Sequence, residues 1–352
     1  MLTIDLSKLD LAPITRHMRT MYSSRLLIAA VHHLNVFEQF IDGPQTIAEL
    51  QRRLDLKQRP AMVLFPALCA MGMLKRDSAG NFAVTEIGRY LTTAVVPNLI
   101  GYLGLEKEDP GVVEMAQRIR NDGLLSTPQG IAYTIEGDAP SPMDDADTAR
   151  FLTLALAGRA QYLAPLVAKA LPQRKGHLLD VAGGTGLFSY EWLLLNPEST
   201  ATILDGKQVL TVASEFRDAY AQSGRAGADT LLERVRFVPG NMLDDELPRA
   251  DVVLAASLFH DWPESTCEKL ARRFAAALNP GGELWVHDMF LDDTLDGPLP
   301  ATDYSAQLFW VTKGRAYSRK EYRRWFSDAG LTPTKDNIPT LIDYGLIAAR
   351  KH

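Results

Sequence analysis

The chain has 352 residues, 46% hydrophobic and 23% charged, with a formal net charge of -6 and a pI near 5.7. That composition belongs to a globular protein long enough for two domains, and its acidity speaks against a nucleic-acid binder held by phosphate contacts. Two cysteines without metal-type spacing, Cys69 and Cys267, no signal-like start and no run approaching 18 uninterrupted apolar residues lead us to expect a cytoplasmic protein without a membrane span.

From about residue 14 to 105 the pattern predicts helices with one short hairpin. "SSRLLIAAVHHLNVFEQF" spaces its apolar residues as a mostly buried helix. In "TIAELQRRL", Thr46 followed by Glu49 is a capping box, and "RPAMVLFPALCAMGML" starts on Pro60 and stops near Gly72. Two strand-like pieces then flank Ser78-Ala79-Gly80-Asn81. Three helices and a hairpin outline a winged helix. The third helix, the second of the pair that would dock on DNA, has no charged residue between Pro60 and Leu74, so it lacks the groups that would read base edges and phosphates. We expect it to be buried, and no nucleic-acid partner.

Residues 111 to 172 read as helical, interrupted by the Pro- and Asp-rich "EGDAPSPMDDAD". From 177 onward, strand candidates "HLLDVA", "TATILD", "RVRFVPG", "ADVVLAAS" and "GELWVHDMF" alternate with helices, and "LIDYGLIAARK" closes the chain as a strand. Such alternation predicts an α/β, Rossmann-like domain with a mostly parallel sheet. The expected organisation is a winged-helix domain over 1–110, a helical connector over 111–175 and the α/β domain over 176–352.

Ligands of open α/β sheets bind beyond the carboxyl ends of the strands. There the first strand places Asp180 and a turn carrying Gly183, Gly184 and Gly186. The second ends in Asp205, whose carboxylate can accept hydrogen bonds from two ribose hydroxyls. The spacing fails the dinucleotide fingerprint, because a third glycine counted from Gly184 would fall at Ser189. An acid beside the turn suits a ligand bearing an ammonium or sulfonium group better than a pyrophosphate, which points to S-adenosylmethionine.

The order "DVAGGTG", "TILD", "VPGNML", "SLFHDWP", "LNPGG" and "WVHDMF" resembles the small-molecule O-methyltransferases of the plant caffeate and bacterial phenazine and polyketide type. The resemblance covers nearly the whole chain and implies a class I methyltransferase domain with a seven-stranded sheet, preceded by a winged-helix dimerisation domain that forms a homodimer. It further implies that Ala182 (where the family has glycine), Gly183, Gly184, Asp205, Asn241, Met242 and Ser257 join Asp180 and Gly186 in binding S-adenosylmethionine. Asn241 stands where an acid is usual, and Ala256 where a base is usual. His260 takes the role of general base toward a hydroxylated small-molecule acceptor, a role suited to an imidazole of ordinary pKa near 6.5. Asp288 matches the first of two acids that bracket the base. The second position falls at Ala316, with Glu321 nearby on a different helical position.

The pairs His260-Asp261 and His287-Asp288 raise the question of a metal. Adjacent strand residues point to opposite faces, so we expect none. Met115, Tyr133, Phe151, Tyr162, Phe309 and Trp310 are candidates for an acceptor lining. Two other readings stay open: the same fold methylating carbon or nitrogen or using the cofactor for other chemistry, and a winged-helix regulator that senses a small molecule.

Overall fold

The computed structural model describes residues 9–123 and 141–352, which form two compact units. One comprises the described part of Pro13–Ala132 with Phe290–Arg319. The other comprises the described parts of Met1–Ala12 and Tyr133–Met289, with Lys320–His352.

In the first of these units the opening helix runs from Ala12 to His32, starting well before the expected segment, and Phe37–Phe40 forms a separate 3₁₀ turn. The break falls at Asn35, whose φ of +51° is tolerated by asparagine better than by most residues. The capping box forms as expected at the head of Ile47–Leu54. The Glu49 N–H donates to Thr46 Oγ1 at 3.2 Å, and the Thr46 N–H donates to Glu49 Oε2 at 2.8 Å. In helix Gln58–Ala70, Pro60 through Cys69 are all buried, in a core shared with Leu26, Phe37 and Phe82. Strands Leu74–Arg76 and Phe82–Val84 pair antiparallel. Helix Leu299–Val311, much further along the chain, adds Ala306 and Phe309 to that core.

The segments 23–34 and 62–74 bury most of their apolar residues inside the unit. Its exposed apolar side chains lie elsewhere, notably at Ile14, Met18 and Met21, which share one face of the first helix.

The second unit opens, after the described end of the Asp-rich segment, with helix α1 (Ala146–Ala170), capped by Asp145 accepting from the Thr148 N–H. By length and composition α1 could cross a membrane, yet Ala164, Val167 and Ala168 pack in the core of this unit with Trp192 and Leu193. It is followed by β1 (His177–Val181), α2 (Leu187–Leu195), β2 (Thr200–Asp205), α3 (Lys207–Ala221), β3 (Val235–Pro239), β4 (Ala250–Ala256), α4 (Glu264–Ala277) and β5 (Leu278–Asp288). The last elements are α5 (Arg319–Asp328), β6 (Thr332–Pro333), β7 (Ile338–Pro339) and β8 (Gly345–Arg350).

The sheet order is β6-β8-β5-β4-β1-β2-β3, with β7 also on β8. Strands β3, β2, β1, β4 and β5 are parallel, and β8 runs antiparallel to β5. The expected seven-stranded, mostly parallel sheet is thus a mixed sheet of eight strands. The added strand has a plain cause. Both β6 and β7 pair antiparallel with the same β8, at Ala349–Arg350 and Gly345–Leu346, as two short pieces of one interrupted edge strand. Each piece ends in a proline, Pro333 and Pro339, which cannot donate to a ladder and is at home on an edge. The central strands are buried on both faces, so β1, β2 and β4 read as largely apolar runs, with Asp180 next to the carboxyl end of β1 and Asp205 at that of β2.

Candidate active site

At the carboxyl edge of β1, β2 and β4, one cavity is lined by Asp180, Ala182, Gly183, Gly184, Thr185, Asp205, Ala256, Ser257 and Asp261, with Arg159 and Ala160 of α1 and Phe188 of α2. Local backbone dictates the small residues. A Cβ on Gly183 would stand 2.8 Å from Ile203 Cγ2 and 2.9 Å from Asp180 Cγ. At Gly184, where φ is +57°, the space for a Cβ is open. Ala182 holds a φ of +52°, the left-handed conformation that favours glycine, and its N–H donates to Leu204 O at 2.8 Å.

Asp180 is fully buried; its Oδ2 accepts from Ser189 Oγ at 2.8 Å, while Oδ1 has no hydrogen-bond partner among the described residues. Burial pushes its carboxyl up to about 7, and the charge of Asp205 adds to the rise. Asp205 accepts from the Gly184 N–H at 2.9 Å and the Gly206 N–H at 2.7 Å, so it ties the glycine turn to the end of β2. Burial raises this carboxyl too, against the pull of those two donors.

After β4 the backbone turns through Ser257, at φ +55°, whose N–H donates to His287 O at 2.8 Å. The 3₁₀ turn Phe259–Asp261 then carries His260. Its Nδ1 lies 2.6 Å from Asp288 Oδ1 and its Nε2 3.6 Å from Asp261 Oδ1. A carboxylate only accepts, so Nδ1 carries the proton and neutral His260 presents Nε2 as the basic nitrogen. Burial opposes charge on this imidazole, but the Asp288 and Asp261 carboxylates outweigh it and raise its pKa above the ordinary value. Asp288 is fully buried, which favours its neutral form. His260, the Tyr322 hydroxyl and the Met289 N–H nevertheless hold it below the usual carboxylate range. Asp261 is pushed up to about 6 by burial, against the attraction of His260.

The two His-Asp pairs divide. Asp288 faces His260, whereas the buried His287 sets Nε2 3.0 Å from Thr340 Oγ1 and stacks on Tyr344 at 5.2 Å. Burial lowers His287 to about 3, which keeps it neutral.

Of the residues expected to hold the cofactor, Asp180, Ala182, Gly183, Gly184, Asp205 and Ser257 converge on the cavity, and Gly186, Asn241 and Met242 are not in its lining. Gly186 caps α2 at φ +78°, where a Cβ would meet Ile203 and Tyr190 at 2.5 Å. Asn241 folds back on its own turn, its Oδ1 accepting from the Leu243 N–H at 2.9 Å and its N–H donating to Asp245 Oδ2 at 2.7 Å. Met242 is buried and its carbonyl accepts from Arg273 Nε at 2.7 Å. Ala316 is buried in the other unit.

None of the described aromatic and methionine candidates lines this cavity. Met115 and Phe309 are core, Trp310 lies under the Arg118 guanidinium, Phe151 is exposed and Tyr162 half-buried. Tyr133 lies outside the described residues. Sequence reasoning missed Arg159, Phe188 and Tyr322. The guanidinium of Arg159 donates to Tyr344 Oη at 2.5 Å. A lone arginine in the small-residue stretch "LAGRA" was the available signal.

Comparison with known proteins agrees with this geometry. Residues 164–332 match the model of the O-methyltransferase domain. The 3-hydroxy-5-methyl-1-naphthoate 3-O-methyltransferase of Streptomyces sahachiroi is 28% identical over 334 residues, which cover 90% of this chain and 88% of that protein. Human N-acetylserotonin methyltransferase, solved in complex with SAM, shares the fold at a TM-score of 0.56 and 22% identity, covering 98% of this chain and 99% of that one. An O-methyltransferase family 2 protein from Planctomyces limnophilus, solved in complex with apigenin, matches at a TM-score of 0.86 and 33% identity over 100% of both chains. The glycine turn between two strand-end acids, the His260–Asp288 pair and this full-length likeness lead to one conclusion: the chain belongs to the O-methyltransferase family.

Proposed function

We propose that the protein transfers the methyl group of S-adenosylmethionine to a hydroxyl of a small aromatic or polyketide-like acceptor. The observation that carries this reading is the cavity itself, in which Asp180, with one buried carboxylate oxygen unpartnered among the described residues, and the open Gly184 stand with Ser257 and Asp261 of the His260 segment. These residues fit the cofactor: Asp180 offers an acceptor to its ammonium group and Asp205 to its ribose hydroxyls, and no cationic pyrophosphate cradle is needed. When bound, the cofactor supplies a methyl group made electrophilic by the sulfonium. His260 removes the acceptor's hydroxyl proton through Nε2, and Asp288 supports the imidazolium that results. Phe188 and the apolar Leu156, Ala157 and Ala160 of α1 line the cavity.

A raised carboxyl at Asp180 makes binding of a cationic ligand depend on pH. The charged form grows as pH climbs toward about 7, so calorimetry with S-adenosylmethionine should show affinity rising over that range and then levelling, with a proton released on binding. Mass spectrometry with a labelled methyl donor and a panel of naphthols, flavones and hydroxynaphthoates should find O-methylated products. Absence of heat together with absence of product across the panel would overturn the reading.

We further read the helices and hairpin of the first unit as a winged-helix dimerisation domain of a cytoplasmic homodimer. Ile14, Met18 and Met21 support this, being 68%, 53% and 46% exposed on one face of the opening helix. Light scattering should give twice the chain mass of 38.9 kDa, and Met18→Glu should halve it. A wild-type monomer at micromolar concentration contradicts the dimer.

A further inference from the structure

We propose that Tyr322 is a positioning residue for methyl transfer, holding Asp288 and, through Asp288, the His260 imidazole; this rests on the general-base reading of His260. The geometry is a buried chain of three side chains. Tyr322 Oη donates to Asp288 Oδ2 at 2.7 Å, and Asp288 Oδ1 accepts from His260 Nδ1 at 2.6 Å. The Met289 N–H adds a third donor, to Oδ1 at 2.8 Å. Tyr322 and Asp288 are both fully buried and His260 is 3% exposed. The Tyr322 hydroxyl is thus the group that fixes Oδ2, and without it the carboxylate would be free to turn about its Cβ–Cγ bond and its second oxygen would lose a buried partner.

The ring of Tyr322 does a separate job. It packs edge-on against Phe259, at 5.4 Å, and against Trp325, at 5.1 Å, while Trp325 stacks on Phe259 at 6.2 Å. Phe259 is the residue directly before His260, so helix α5 braces the turn that carries the base as well as the acid behind it. Ring packing and hydroxyl donation are separable by experiment, because phenylalanine keeps the first and removes the second.

Among the described residues, the charged and titratable groups acting on His260 include Asp288 on β5, Asp261 on its own turn and Arg159 on α1. Asp288 in turn faces His260 and the Tyr322 hydroxyl. Donation by Tyr322 spreads the negative charge of Asp288. Without it the carboxylate binds the His260 proton more tightly, and the base is freed only at higher pH.

The test is a double-mutant cycle with Tyr322→Phe and Asp288→Asn. Tyr322→Phe should lower kcat about 3- to 10-fold, the scale of one hydrogen bond, with KM for donor and acceptor within about twofold. The ascending limb of its kcat profile should move to higher pH. On top of Asp288→Asn, removing the Tyr322 hydroxyl should cost almost nothing, since the charge it acts on is gone. Additive effects, an unmoved pH limb, or a fall in thermal stability that accounts for the whole loss would each overturn the proposal. A nitrogen-15 histidine NMR titration of His260 needs no acceptor, so it judges the relay even if no transfer is found, a result that would count against the functional reading instead. Identical His260 titrations in wild type and Tyr322→Phe would sink the relay. If Tyr322→Phe does not fold, a fluorinated tyrosine incorporated at position 322, a stronger donor, should shift the limb to lower pH, and an unchanged limb refutes the idea equally.

Discussion

His260→Ala is expected to lower turnover by about 10²–10⁴, the usual worth of a positioned general base. A phenol has a pKa near 10, so few acceptor molecules are ionised near neutrality and the proton has to leave as the new bond forms. The proposed base holds Nδ1 2.6 Å from Asp288 Oδ1, which makes Nε2 the basic nitrogen. Its raised pKa fixes the sign of the pH dependence. Neutral imidazole accumulates as pH rises, so wild-type turnover should climb along a limb lying above the ordinary imidazole value, and the variant should lack that limb. The same pair stabilises the fold fully below the unfolded histidine pKa of about 6.5 and loses that contribution as pH rises through the raised folded value. Alanine leaves Asp288 two donors, Tyr322 and the Met289 N–H, so the protein should stay folded. Donor binding, measured by calorimetry, should barely change, because His260 is not in the lining of the cavity that Asp180 and Asp205 share. Unaltered turnover in a folded variant, or equal losses of stability and donor affinity with the pH limb intact, would show that the histidine only packs.

What the sequence disclosed about this site follows from which interactions are local. Strand-end acids were legible because apolar runs such as "HLLD" and "TATILD" stop at Asp180 and Asp205, and the edge of a parallel sheet is where such runs end. The capping box at Thr46 was legible for the same reason, both partners lying within one turn. Tyr322 was not, since it meets Asp288 across 34 positions and nothing in "RKEYRRW" marks a tyrosine whose hydroxyl points at a carboxylate. Nor could the pattern tell that Phe290–Arg319 belongs with the first unit, because the order of elements does not encode which core a helix joins. Asn241 lies outside the cavity lining for a local reason: asparagine readily closes a turn on its own backbone, and its side chain does so here with the Leu243 N–H. The alternation rule separated the faces of His287 and Asp288 but gave no hint that the former would be locked neutral against Tyr344.

Asp205→Ala should weaken S-adenosylmethionine by roughly 1.5–3 kcal/mol, about 10- to 150-fold, through two separable losses. The first is the acceptor for ribose hydroxyls at the end of β2. The second is structural: the Gly184 and Gly206 N–H groups, now at 2.9 and 2.7 Å from the carboxylate, lose their partner, and the turn that carries Ala182 at φ +52° loses a restraint. Asp205→Asn distinguishes the two. Its amide oxygen can still receive the Gly184 N–H but carries no charge, so the turn should hold while affinity falls by an intermediate amount. On the proposal that Asp205 acts on binding and not on the proton, both variants should raise KM for the donor and leave kcat at saturating donor close to wild type, with the His260-controlled pH limb in place. Loss of a like-charge neighbour has its own signature. Asp205 is one of the groups raising the Asp180 carboxyl to about 7, so in Asp205→Ala that carboxyl should ionise at lower pH, and the pH at which donor affinity levels should drop with it. A folded Asp205→Ala protein that binds the donor within about twofold of wild type, with that levelling point unmoved, would remove Asp205 from the cofactor site.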